Sequence, residues 1–248
     1  MLVVVVDNYD ELSRDGARRV ADLVRKKPDC VLGFATGGTP LGMYAELIRL
    51  HKEEGLDFSK VVTFNLDEYV GLTPSHERSY HYFMSKNLFG HINVDPRYVH
   101  IPDGAAGDVA EQCDWYEARI KQFGGIDLQI LGIGANGHIA FNEPGSSLGS
   151  RTRIKTLKEK TRRNNARFFS SLEEVPKYAI TMGVGTVMEA HGLLLMASGS
   201  EKADAVAATV EGPITAQYPA TIVQMHRFAT ILIDREAGAK LQGDYSGF

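Results

Sequence analysis

Six short runs in this chain are of strand length and almost wholly apolar, at residues 2–6, 30–35, 61–65, 127–133, 193–198 and 228–234. A strand with one wet face alternates apolar and polar side chains; these do not, so they predict strands buried on both faces, the mark of a parallel sheet. Longer stretches of helical character lie between them. Residues 10–27 put Leu12, Val20 and Val24 near one face, and residues 41–54 carry Leu41, Tyr44, Ala45, Leu47 and Ile48. Residues 108–123 and 201–210 also read as helices. Strand and helix in alternation give an α/β fold in three layers, with a mostly parallel central sheet covered by helices on both faces. Ligands in such folds sit beyond the carboxyl ends of the strands, so the residues after each run are where function is sought.

No 20–50-residue repeat or linker-like stretch divides the 248 residues, and the chain is expected to be a single domain with a large core. Its longest aliphatic run, residues 2–6, is far short of the ~20 residues that span a bilayer. That run also lacks the basic start and small-residue cleavage site of a signal peptide. Cys30 and Cys113 are too few for a disulfide framework or a thiolate zinc site. The expectation is a soluble, cytoplasmic protein without membrane partners.

Formal net charge is −4, but residues 151–167 hold eight bases (Arg151, Arg153, Lys155, Lys158, Lys160, Arg162, Arg163 and Arg167) against one acid, Glu159. The window carries +7, so the other 231 residues carry −11. Aromatic side chains are not interleaved and the acidic remainder repels phosphate chains, which argues against nucleic acid. A solvated face and a pocket for a small anion both fit the window.

Three post-strand loops carry chemistry. Thr36-Gly37-Gly38-Thr39-Pro40 follows the second run. Its glycines let backbone approach a ligand, Pro40 suits a first helical turn, and the free N–H groups there favour an anion. The same turn also reads as strand-to-helix punctuation. Thr39 and Pro40 stand where a Walker A loop needs Lys and Ser/Thr, so it is not one. The second loop brings Asp67 and Glu68 directly after a buried strand. At period two they face opposite ways, so at most one looks into a shared cleft, as a base or as a cap of the next turn. The third, from Leu131 to Gly145, contains Gly132-x-Gly134-x-x-Gly137, but Pro144-Gly145 stops the helix that a dinucleotide site requires. What remains is Asn136, His138 and Glu143 in one glycine-rich loop. An imidazole there can move protons near neutral pH while an amide or carboxylate fixes its orientation.

Other motifs fail on geometry. His76-Glu77-Arg78-Ser79-Tyr80-His81 resembles a zinc-binding helix, but histidines five apart lie roughly 140° apart around a helix. No other metal-ligand spacing and no G-x-S-x-G nucleophile elbow is present. The residues therefore predict proton transfer without a metal or a covalent nucleophile. Tyr80, His81 and Tyr82 read equally as core or site.

Taken together, the Thr36–Pro40 turn, the segment from Val62 to Tyr69 and the block Asn136-Gly137-His138-Ile139-Ala140-Phe141-Asn142-Glu143-Pro144 resemble the glucosamine-6-phosphate deaminase (isomerase) family. The resemblance continues through Arg151–Thr156, Ala166–Phe169, Val184–Thr186 and Gly199–Lys202, nearly end to end. It implies a Rossmann-like three-layer fold and conversion of glucosamine 6-phosphate and water to fructose 6-phosphate and ammonia, in amino sugar catabolism and without a cofactor. By match to the family motif, Asp67 is the base between C2 and C1, and His138 opens the sugar ring with Glu143 and Asn136 as partners. The phosphate is expected at Thr36, Gly37, Gly38 and Thr39 with Arg167 and Lys202, under a mobile lid at about 157–177. Most of the other basic side chains in the window are expected to be solvated.

Two departures stand out. A longer, allosterically activated branch has Asp where this chain has Asn136, and a neutral amide predicts a lower His138 pKa. Ser146, Arg153 and Lys155 match part of that branch's effector site, but its longer C-terminal tail has no counterpart here. No allosteric control is expected, and the choice between monomer and homo-oligomer stays open. A 6-phosphogluconolactonase-like hydrolase and a non-catalytic sugar-phosphate sensor are the alternatives. A lactonase has no use for a ring-opening set, and a sensor has no need to keep both Asp67 and His138.

Overall fold

In the computed structural model of the chain, the described residues are 1–157, 159, 162, 163, 166, 169 and 171–245. The elements run β1 (Leu2–Val6), α1 (Tyr9–Lys26), β2 (Val31–Phe34), α2 (Leu41–Glu54), β3 (Val62–Asn65) and β4 (Asp67–Tyr69). Then come α3 (Tyr80–Asn87), β5 (Val99–His100), α4 (Val109–Gln122), β6 (Leu128–Gly132), β7 (Arg153–Thr156) and β8 (Tyr178–Thr181). The last are α5 (Val184–Met188), β9 (Leu193–Ala197), α6 (Ala203–Glu211) and β10 (Ala229–Asp234). All six expected strands and all four expected helices form. None of the helices among the described residues is long and apolar enough to cross a membrane.

Seven strands make one parallel sheet in the order β1-β10-β9-β6-β2-β3-β5. Successive residues of each strand feed two different cores. On β9, Leu193, Leu195 and Ala197 join Tyr116 and Ile120 of α4 and Ala205 and Val206 of α6. Leu194 and Met196 point the other way, to Leu12, Val20 and Val24 of α1 and Tyr44 and Leu47 of α2. Burial on both faces is why these runs show no alternation. Helix α1 is capped by Asn8, whose side chain accepts the Glu11 N–H at 3.0 Å, with acids in its first turn and bases in its last. The inward face of α2 is Met43, Tyr44, Leu47 and Leu50; Leu41 and Ala45 are exposed, so the expected face was rotated by part of a turn.

A second, antiparallel sheet, β4-β8-β7, escaped the sequence reading. Its strands are three or four residues long, and β7 is Arg-Ile-Lys-Thr, which carries no apolar signal. The expected lid at about 157–177 falls partly outside the described residues, which omit 158, 160, 161, 164, 165, 167, 168 and 170.

One buried hydroxyl ties the edge of the large sheet to α4. Tyr116 donates to the carbonyls of Asn65 (2.7 Å) and His100 (3.0 Å), the last residues of β3 and β5. Removing it leaves two buried carbonyls without that donor, a cost of about 1–3 kcal/mol. Tyr116→Phe should lower unfolding stability by that amount in a urea titration; a change within error would show that the hydroxyl does not secure this edge.

Candidate active site

Winding of the large sheet reverses between β2 and β6, its central neighbours: β3 and β5 lie beyond β2, and β9 and β10 beyond β6. At such a switch point the loops leaving adjacent strands diverge and open a crevice. Here the crevice is a cleft of about 1000 Å³. Thr36, Gly37, Gly38, Thr39, Asp67, Asn136, His138, Glu143 and Lys202 all line it, so residues far apart in sequence meet in one place. Arg167, the remaining expected member, lies outside the described residues.

The turn after β2 forms one wall. Gly37 has φ +99°, and a Cβ on Gly37 or Gly38 would meet nothing within 4 Å, so bare backbone faces open space. Pro40 occupies the cap position of α2, one residue earlier than expected, and supplies no side-chain cap. The N–H groups of Leu41 and Gly42 are already taken, by Gly38 O (3.3 Å) and the Tyr9 hydroxyl (2.8 Å). An anion is thus offered the glycine turn itself more than the first helical turn.

Alternation along β4 separates the adjacent carboxylates. Asp67 faces the cleft, and burial, with the charge of Glu68 added, pushes its carboxyl well above the usual carboxylate range. Glu68 faces away and is fully buried. It accepts the N–H groups of Tyr69 (2.8 Å), Tyr80 (2.9 Å) and His81 (3.0 Å), and His81 Nδ1 lies 3.0 Å from its Oε2. The capping role falls to Glu68, and Asp67 is the one of the pair that faces the cleft. His81 is spent on Glu68, while His76 Nδ1 accepts the Arg78 N–H, so the two histidines serve separate purposes.

The third wall is the loop after β6, which continues without a helix to β7. Asn136 Nδ2 donates to Glu143 Oε2 at 2.9 Å, and His138 Nδ1 lies 2.6 Å from Asn136 Oδ1. A carboxylate only accepts, so the NH₂ end of the amide must face Glu143 and its oxygen must face the imidazole. Nδ1 therefore carries the ring proton, and Nε2 is left with a lone pair. Glu143 sets the tautomer of His138 through an amide.

The surrounding backbone holds that ring in place. Any Cβ on Gly134 would sit 2.0 Å from His138 Cε1. Gly137 takes φ +77° under the Tyr218 ring, and its carbonyl accepts the Ala220 N–H at 2.9 Å. Gly145 N–H donates to Ala216 O at 2.8 Å, so residues 216–220 pin both ends of the loop. Ala140 adopts φ +49°, a left-handed conformation costing about 1–2 kcal/mol for a residue with a Cβ, and it lines the cleft.

His138 titrates below its ordinary value, foremost because it is buried; the Lys202 charge lowers it further and Glu143 opposes. Burial is the leading cause, and Asn136, a neutral amide, brings no charge to offset it. Asn136→Asp places a carboxylate against Nδ1 and should raise the His138 pKa. Imidazole NMR titration checks this: wild type below 6.5 and the variant above wild type, whereas equal values would remove Asn136 from the electrostatics of the ring.

Tyr80, which the sequence left open as core or site, lines the cleft, as do Phe141 and Arg163, which the sequence did not single out as site residues. Tyr80 lay in the failed metal motif, and Arg163 lay in the basic window without a feature to distinguish it. The window itself is more engaged than expected. Arg151 pairs with Glu117 (2.5 Å) and Glu189 (2.6 Å), Arg153 donates to Asn142 Oδ1 (2.9 Å), and Arg162 donates to the carbonyls of Leu172 and Val175. Arg163 pairs with Glu159 at 2.5 Å. Among the described residues no three His, Cys, Asp or Glu side chains stand together as a metal site.

Comparison with known proteins bears on this cleft. The profile of the family described as glucosamine-6-phosphate isomerases/6-phosphogluconolactonase matches residues 7–232. The chain is 53% identical to glucosamine-6-phosphate deaminase of Thermoanaerobacter sp. (strain X514) over 239 residues, covering 96% of this chain and 94% of the relative. It is 51% identical to the deaminase of Clostridium perfringens (strain ATCC 13124) over 242 residues, 98% of this chain and all of that one. A solved monomeric glucosamine-6-phosphate deaminase superposes with a TM-score of 0.94 at 48% identity, over 96% of this chain and 99% of that one. The 6-phosphogluconolactonase of Trypanosoma brucei superposes at 0.77 with 19% identity, covering 97% of this chain and 98% of that one, a likeness of fold alone.

Proposed function

Because the chain belongs to the glucosamine-6-phosphate isomerase/6-phosphogluconolactonase family, we propose that it converts glucosamine 6-phosphate and water to fructose 6-phosphate and ammonia. The observation that carries this reading is the presence in one cleft of two separate proton-handling sets, Asp67 and the Glu143–Asn136–His138 chain. Lactone hydrolysis needs one base to activate water, whereas an amino sugar must first open its ring and then move a proton between carbons. Relatives named as deaminases, about half identical over nearly their whole length, support the same choice.

In this reading the sugar phosphate lies with its phosphate on the Thr36–Thr39 turn, near the Lys202 ammonium, and Arg167, outside the described residues, is the further cation that the family resemblance assigns to it. The lone pair at His138 Nε2 takes the C1 hydroxyl proton and delivers it to O5 as the C1–O5 bond breaks. Asp67 then removes the proton at C2 while the substrate's ammonium group gives one to the aldehyde oxygen, leaving an enolamine. Asp67 returns its proton to C1, the C2–N bond becomes an iminium, water adds to C2, and ammonia leaves. A carboxylate with a raised pKa is a stronger base for a carbon acid. The unpaired, buried Cys30 and Cys113 support a cytoplasmic setting, and likeness to a monomeric relative supports a monomer built as one α/β domain.

The direct test supplies glucosamine 6-phosphate and measures ammonia and fructose 6-phosphate together; no ammonia at micromolar enzyme would sink the proposal. Asp67→Asn should abolish proton exchange at C2. His138→Gln should slow the cyclic substrate and spare an open-chain form, and equal losses on both would contradict ring opening. Asp67 works only when ionised, so kcat/KM should fall on acidification at a pH above the ordinary carboxylate range of about 4.

A further inference from the structure

Tyr80 lines the cleft but belongs to neither proton-handling set. Its backbone is fixed from behind. Glu68, fully buried on β4, accepts the N–H groups of Tyr80 (2.9 Å) and His81 (3.0 Å), the first two residues of α3. A carboxylate satisfies N–H groups that a helix start leaves without intrahelical partners, and it complements the positive end of the helix dipole. The head of α3 is thereby clamped to the strand that presents Asp67 one residue earlier. At its front, the Tyr80 ring stacks on Phe141 (centroids 6.1 Å apart, planes at 9°) and leans on Tyr69 (5.0 Å, 45°). Its ring shares the cleft lining with Thr36, Tyr69 and Asp67, and its hydroxyl lies near enough to all three to feel them.

Thr36 and Asp67 serve opposite ends of the substrate in the deaminase reading, on which this inference rests. A hydroxyl on the same cleft lining as both lies on the path that the middle carbons must follow. We propose that the Tyr80 hydroxyl is a further substrate-contacting group, hydrogen-bonded to a sugar hydroxyl between C3 and C5 while the phosphate sits at Thr36 and C1–C2 at Asp67. A phenol can donate and accept, as can each of those sugar hydroxyls. Burial and the neighbouring Tyr69 and Asp67 push the phenol well above its usual range, so it acts by hydrogen bonding as a neutral group. Sites built to bond a hydroxyl discriminate strongly against analogues that lack it, so Tyr80 also becomes a gauge of the sugar chain.

Tyr80→Phe removes the oxygen and keeps the ring stacked on Phe141. The expected result is a roughly ten- to hundred-fold fall in kcat/KM for glucosamine 6-phosphate, the size of one lost hydrogen bond in a closed site. The thermal midpoint and the inhibition constant of inorganic phosphate should stay at wild-type values. Wild-type kcat/KM in the variant would overturn the proposal. So would phosphate inhibition that weakens in step with turnover, since Tyr80 would then be shaping the Thr36 turn instead of touching sugar. Turnover by the wild-type enzyme is measured alongside: its absence would overturn the deaminase reading, whereas its presence with an unaffected variant overturns the Tyr80 contact alone.

Discussion

Everything in this molecule follows from seven strands running the same way. In a parallel sheet every carboxyl end lies on one edge, so the loops that leave β2, β6 and β9 are gathered there however far apart they are in sequence. The reversal of winding between β2 and β6 then leaves a gap between the first two of these loops. Thr36 and His138 reach the same cleft for that reason. Asp67 is brought in by the small antiparallel sheet, whose first strand begins two residues after β3 ends.

Within the cleft, charge is managed by burial and alternation. Asp67 and Glu68 are neighbours in sequence, yet the two-residue period sends one to the cleft and the other to the head of α3. Buried and well supplied with N–H donors, Glu68 bonds as an ion would and helps to keep the proton affinity of Asp67 high. On the opposite wall Glu143 acts on His138 without touching it, through an amide whose orientation the carboxylate dictates. The pair of walls gives one carboxylate of raised proton affinity and one imidazole with a fixed lone pair, the two groups to which the proposed reaction assigns its two protons.

Much of this was legible in the residues. The apolar runs announced the parallel sheet because each strand feeds two cores, as Leu193–Ala197 does, and Pro144-Gly145 ruled out the dinucleotide helix. The Asp67/Glu68 alternation followed from period two alone. What stayed hidden has physical causes. Three-residue β4 and charged β7 carry no hydrophobic pattern, so the small sheet had no signal. Tyr80 could be core or site by sequence, because the Glu68 contact that holds the head of α3 spans twelve residues and no local pattern encodes it. The face of α2 was misplaced because Leu41 and Ala45 look like core residues in a helical wheel, while Met43 and Leu50 in fact point inward.

Lactonases share this fold at less than 25% identity, so the scaffold alone does not choose between hydrolysis and isomerisation. The choice lies in whether a carbon-bound proton moves, and the central claim is that a single carboxylate, Asp67, moves it on one face of the C1–C2 edge. Running the reaction in D₂O and reading the fructose 6-phosphate by NMR tests that claim directly. One base on one face predicts that any deuterium entering C1 occupies only one of its two positions. Equal labelling of both positions would contradict it.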